Sequence, residues 1–204
     1  FIPKNRKIFV DFFIRKKKSD KYSNKKKYLV KINDWGNKNK KPEASVIKCL
    51  GNIGENETEI NSIIYDFNLP NKFPSEIINE AESLNDKISS KEIEKRRDLR
   101  NIDTFTIDPD DAKDFDDALS VEVKRNYYTI GIHIADVSHF FNVRTKINEE
   151  AEKRATSIYL VDRTIPMLPE KLSNNLCSLR PDVDRLTYSV IIKFDKEFLI
   201  IDTW

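Results

Sequence analysis

The chain has 204 residues, 39% of them hydrophobic, and carries 36 Lys and Arg against 34 Asp and Glu for a formal net charge of +2. That leaves room for one large domain or two small ones around a real core, and it excludes a disordered chain. The opening FIPKNRKIFVDFF is no signal peptide, and no stretch approaches the roughly 20 apolar residues of a membrane helix, so a cytoplasmic protein without membrane contact is expected, beginning at Phe1 as a piece of something longer.

Charge is divided along the chain. Residues 1–50 hold 16 Lys or Arg and 4 Asp or Glu, a net of +12, which leaves 20 and 30 for the remainder, a net of −10. Such a basic segment suits a polyanion partner, although a Lys-, Asn- and Ile-rich composition accounts for it equally well. Cys49 and Cys177 stand far apart without a C-x-x-C spacing, so both read as ordinary thiols.

In chain order, short strands are predicted over 7–14 (KIFVDFFI), 27–32 (KYLVKI) and 44–50 (ASVIKCL), separated by Lys-, Asn-, Ser- and Gly-containing turns. Their even spacing suggests a small barrel of the oligonucleotide-binding type, incomplete at its start. Pro70 and Pro74 close this region, and Ile77, Ile78, Ala81, Leu84, Ile88 and Ile93 then follow near helical spacing, predicting a helix or a broken pair of helices as a linker. Beyond it, ALSVEV with YYTIGIHI and LTYSVIIKF with EFLIIDTW read as two hairpins, and TKINEEAEKRATS between them as an amphipathic helix. The expected fold class is α+β: an OB-like barrel over 1–72, a helical linker over 73–101, and a mixed α/β domain over 102–204.

TIDPDDAKDFDDALS, residues 106–120, gathers Asp108, Asp110, Asp111, Asp114, Asp116 and Asp117 while keeping Phe105, Ile107, Ala112, Phe115, Ala118 and Leu119 among them. A calcium loop of the EF-hand kind fails, because Ala112, Lys113 and Leu119 stand where an Asp or Asn, a Gly and a Glu are required. An aspartyl-phosphate enzyme with Asp108 as nucleophile needs a distant lysine and a second acidic motif that the sequence does not place. Two readings remain: a solvated acidic turn, and a magnesium site for phosphoryl transfer, in which bound cations favour carboxylates that otherwise raise one another's pKa.

The same residues resemble a known family. TIDPDDAKDFDDALS, then GIHIADVSHF, RATSIYL and IPMLPEKLSNNLCSLRPDVDRL, preceded by NLPNKFP, are similar in order to the catalytic domain of the ribonuclease II (RNB) family over about residues 100–190. The region before it is compatible with that family's cold-shock barrel.

The resemblance implies a magnesium-dependent, processive 3′–5′ exoribonuclease that degrades single-stranded RNA to nucleoside 5′-monophosphates as a monomer. Position by position, it puts the four active-site aspartates at Asp108, Asp114, Asp116 and Asp117, with metal binding assigned to Asp108, Asp114 and Asp117. Asp116 then aligns the attacking water or a second ion. It further implies that Tyr159 stacks on the 3′-terminal base, an interaction tolerant of sequence. Asp110 and Asp111 fall where the motif is tolerant. His133 and His139 read as structural, and Asp136 as bracing the turn after its strand. The lysines at 16–18 and 25–27 could track phosphates. Family members also continue beyond position 204, so the catalytic domain is expected to be truncated here, with an arginine of the site and an S1 barrel lying in the remainder. The competing class is an RNA-binding module that acts through the basic barrel without chemistry.

Overall fold

The structure, a computed structural model, describes residues 1–5, 7–14 and 21–204. They form two compact units, Phe1–Asn71 and Lys72–Trp204. The class is the expected one, a β-rich first region followed by a mixed helix and strand region.

In the first unit, β1 (Lys26–Asp34) and β2 (Glu43–Asn52) pair antiparallel, with Val30 opposite Val46. Gly36 turns the chain between them at φ +72°, where a Cβ would lie 2.1 Å from the Lys40 carbonyl oxygen, so a side chain there is excluded by backbone. Helix α1 (Asn56–Asp66) follows and buries Ile60 and Ile64, one turn apart.

One sequence expectation fails in this unit, and one helix went unread. No strand forms over 7–14, where a single bridge joins Phe13 to Glu43: the Phe13 amide donates to the Pro42 carbonyl, and the Ala44 amide to that of Phe13. Phe12 turns inward while Phe9 stays 92% exposed. The Phe12 amide donates to the Phe1 carbonyl at 2.9 Å and its carbonyl accepts from the Phe1 amino group at 2.7 Å, and these contacts do not extend into a strand. Helix α1 was not anticipated, because its Ile60, Ile63 and Ile64 are β-branched and carry strand propensity that helical burial overrides.

The second unit opens with α2 (Ser75–Glu82) and α3 (Ser90–Ile93), the broken pair. The Ser89 hydroxyl caps α3 by accepting from the Glu92 amide at 3.2 Å. Next come β3 (Thr104–Phe105), β4 (Asp117–Val123), β5 (Tyr128–Ala135) and a 3₁₀ turn at Val137–His139. Helix α4 (Lys146–Arg154) is capped by Thr145 and closed by Ala155 at φ +64°. A short ribbon of β6 (Ile158–Tyr159) and β7 (Thr164–Ile165), a π-helical turn at Leu172–Leu176, β8 (Thr187–Phe194) and β9 (Ile200–Thr203) complete the order. Both predicted hairpins form and join through β5 and β8 into one antiparallel sheet of order β3-β4-β5-β8-β9.

One face of this sheet looks into the core. Ala135 packs there with Ile77 and Ala81 of α2, Ile147 of α4, and Leu168, Leu172, Leu176 and Cys177. Polar residues on that face are paired: His133, only 4% exposed, bonds Ser120 Oγ through Nε2 and Ser189 Oγ through Nδ1, both at 2.9 Å. Burial holds this imidazole below the usual histidine range, hence neutral. The opposite face presents Val121, Val123, Ile132, Ile134, Tyr188 and Val190 to solvent. Among the described residues no helix is long and apolar enough to cross a membrane.

Candidate active site

The aspartate run is the connection from β3 into β4. Asp117 is the first residue of β4, opposite Ile134, and the Asp116 carbonyl accepts from the Ala135 amide at 3.0 Å, so the end of the run is fixed by the sheet ladder. Its middle is fixed by the segment after the π-helical turn. Ser178 Oγ accepts from the Phe115 amide at 3.1 Å and donates to the Lys113 carbonyl at 2.8 Å, and the Leu179 amide donates to the Phe115 carbonyl at 2.9 Å.

Electrostatics tie the four predicted aspartates together. Asp116 stands partly exposed, yet protein atoms around its carboxyl, and then repulsion from Asp114, Asp117 and Asp108, raise its pKa above the ordinary carboxylate value. None of the four forms an ion pair with Lys or Arg among the described residues, whereas nearby acids do. Four oxygen-donor carboxylates without a protein cation are the donor set a hard divalent ion prefers. Among the described residues, however, no three such groups converge into a coordination shell. The structure therefore brings Asp108, Asp114 and Asp117 close enough to repel Asp116 without closing the four around one point.

Tyr159, on β6, is 67% exposed, and its hydroxyl donates to Asp114 Oδ2 at 3.1 Å. Burial of the hydroxyl and the Asp114 carboxylate both raise the phenol's pKa, so it remains a donor. Its ring stands open beside the carboxylates. Asp110 and Asp111 lie exposed in the turn closed by the Ala112 amide on the Pro109 carbonyl.

Asp136 braces its turn as expected. Burial alone would raise its pKa, but hydrogen bonds from Ser138 at 2.8 Å and from Arg96 at 2.7 Å outweigh this and lower it. Arg96 also bonds Glu92 of α3 at 2.8 Å, fastening that helix to the end of β5. Burial and then the Asp116 carboxylate push the Cys177 thiol up to about 12, so it stays protonated and inert. Of the predicted phosphate-tracking lysines, Lys27 is engaged by Glu59, and 16–18 lie outside the described residues. Ser178 was missed by sequence reading, since a serine in LCSLRP carries no mark of what it will touch.

Residues 96–204 match the family model described as RNB domain, and residues 1–74 that described as cold shock domain. Ribonuclease R of Thermotoga maritima is 40% identical over 203 residues, 98% of this chain and 29% of that protein. Mycoplasma genitalium RNase R, solved with double-stranded RNA and with ribose-methylated single-stranded RNA, superposes with TM-scores of 0.82 and 0.81. Both are 29% identical and cover 96% of this chain, and 35% and 31% of theirs. Yeast Ssd1, described as a pseudonuclease, gives a TM-score of 0.63 at 25% identity over 92% of this chain and 24% of its own. The chain thus spans about a third or less of the length of these relatives.

Proposed function

This chain belongs to the RNB-domain family, and on that premise we propose that it carries the metal-binding half of a hydrolytic 3′–5′ exoribonuclease acting on single-stranded RNA. The observation that carries this reading is the Asp116 carboxyl, raised by burial and then by repulsion from Asp114, Asp117 and Asp108, with no Lys or Arg paired to any of the four among the described residues. A module that only bound RNA would gain nothing from presenting such a cluster to a polyanion, so the likeness to a pseudonuclease does not favour the purely binding alternative.

Asp108, Asp114 and Asp117 are the residues that would hold magnesium. When bound there, the ion would supply Lewis-acid activation and neutralise charge developing on the phosphorus oxygens. Asp116, the remaining carboxyl of the four, would accept a hydrogen bond from the attacking water and orient it. Tyr159 stacks on the terminal base and, through its bond to Asp114, keeps that base in register with the carboxylates. In the net reaction, water oxygen bonds to phosphorus as the bond to the 3′ oxygen of the penultimate nucleotide breaks. A nucleoside 5′-monophosphate leaves, and the shortened chain keeps a 3′ hydroxyl. We assign the protein to the cytoplasm as a monomer.

The test is a 5′-labelled single-stranded RNA beside the matching DNA, incubated with a protein of the relatives' length that carries this segment. A magnesium-dependent ladder shortening from the 3′ end of RNA alone, with monophosphate products, is expected. Internal cuts or indifference to magnesium would contradict the assignment.

A further inference from the structure

Ser178 has none of its surface exposed, and its hydroxyl is committed to the aspartate loop. It accepts from the Phe115 amide at 3.1 Å and donates to the Lys113 carbonyl at 2.8 Å, while the Leu179 amide takes the Phe115 carbonyl at 2.9 Å. These bonds grip the backbone on both sides of Asp114. Among the described residues no other side chain bonds the backbone of 113–115.

Asp114 is also the carboxylate that receives Tyr159 and one of those that repel Asp116. Repulsion of this kind drives carboxylates apart, and a loop with free backbone would yield to it. We infer that Ser178 is a positioning residue: it fixes the loop at Asp114 so that this carboxylate stays within the cluster and under the Tyr159 hydroxyl. This rests on the reading of the aspartates as a divalent-ion site. The plain alternative is a buried serine that satisfies two backbone groups without consequence for the site.

Two measurements on a protein of the relatives' length that carries this segment separate them: hydrogen exchange at the Phe115 amide, and Mn²⁺ binding by electron paramagnetic resonance. In Ser178→Ala the Phe115 amide should exchange about tenfold faster and Mn²⁺ bind about tenfold more weakly, with β5 amides protected as before. Ser120→Ala, which removes another buried hydroxyl of the same unit, should change neither. Unchanged Mn²⁺ affinity in a folded Ser178→Ala protein overturns the inference. If that variant loses β5 protection, Ser178→Cys takes its place, being close in size with only a weak donor. It should weaken Mn²⁺ binding several-fold, and parental affinity in it overturns the inference equally. Should the parent chain bind no Mn²⁺, the divalent-ion reading fails by itself, and Phe115 exchange decides whether Ser178 holds the loop.

Discussion

With Asp116 raised above its unfolded value, its contribution to stability is present below the unfolded carboxylate pKa and is lost as pH rises through the folded one. Asp116→Asn should therefore raise the melting temperature at pH 7 without divalent ions, by no more than about 2–4 °C because solvent screens these groups. The gain should vanish toward pH 3, and thermal melts across that range check it. Tyr159 should separate into ring and hydroxyl functions. Tyr159→Phe keeps the stacking surface and most of the RNA affinity, whereas Tyr159→Ala loses about tenfold, read by fluorescence anisotropy. At this scale the aspartate run stood out by residue type and spacing, while Tyr159 was singled out only through the family resemblance. Ser178 was not, because its partners lie 63 and 65 positions away and only the folded chain brings them together.

Among the elements, the five-stranded sheet supports the site, and its weak point is a polar seam. A Cβ at Gly131 would lie 2.3 Å from Ser120 Oγ and 2.6 Å from His133 Nε2, so Gly131 is what admits their hydrogen bond. Gly131→Ala should cost about 1–3 kcal/mol in denaturant unfolding by breaking that bond inside the core. His133 also sets a pH limit. Its folded pKa lies below the unfolded value near 6.5, so its contribution is complete above that value and declines as pH falls through the folded one. The hairpins of this sheet were readable from alternation, because one face is buried and polar residues there are paired. The segment 7–14 was misread because a Phe-rich run looks like a strand whether or not a strand lies beside it to pair with, and helix α1 went unread because its β-branched isoleucines give a weak helical signal. The broken helix pair was readable from its apolar spacing, but α2 packs into the core of the second unit and does not stand apart as a linker.

For the molecule as a whole, charge is divided between a basic N-terminal segment and an acidic remainder. On the proposed function, the basic segment would hold the RNA backbone. RNA affinity should then fall with salt at a log–log slope of about −0.7 per phosphate contacted. Replacing Lys25 and Lys26 should flatten that slope more than replacing Lys27, which is already engaged by Glu59. The division of charge was visible from composition, while the absence of a closed coordination shell among the described residues could be learned only from the coordinates. The most direct test compares Asp116→Asn with the parent in a protein of the relatives' length, scoring magnesium-dependent RNA shortening and RNA affinity together. We expect shortening to be abolished with RNA affinity retained; shortening undiminished by the substitution would contradict the assignment of these aspartates to catalysis.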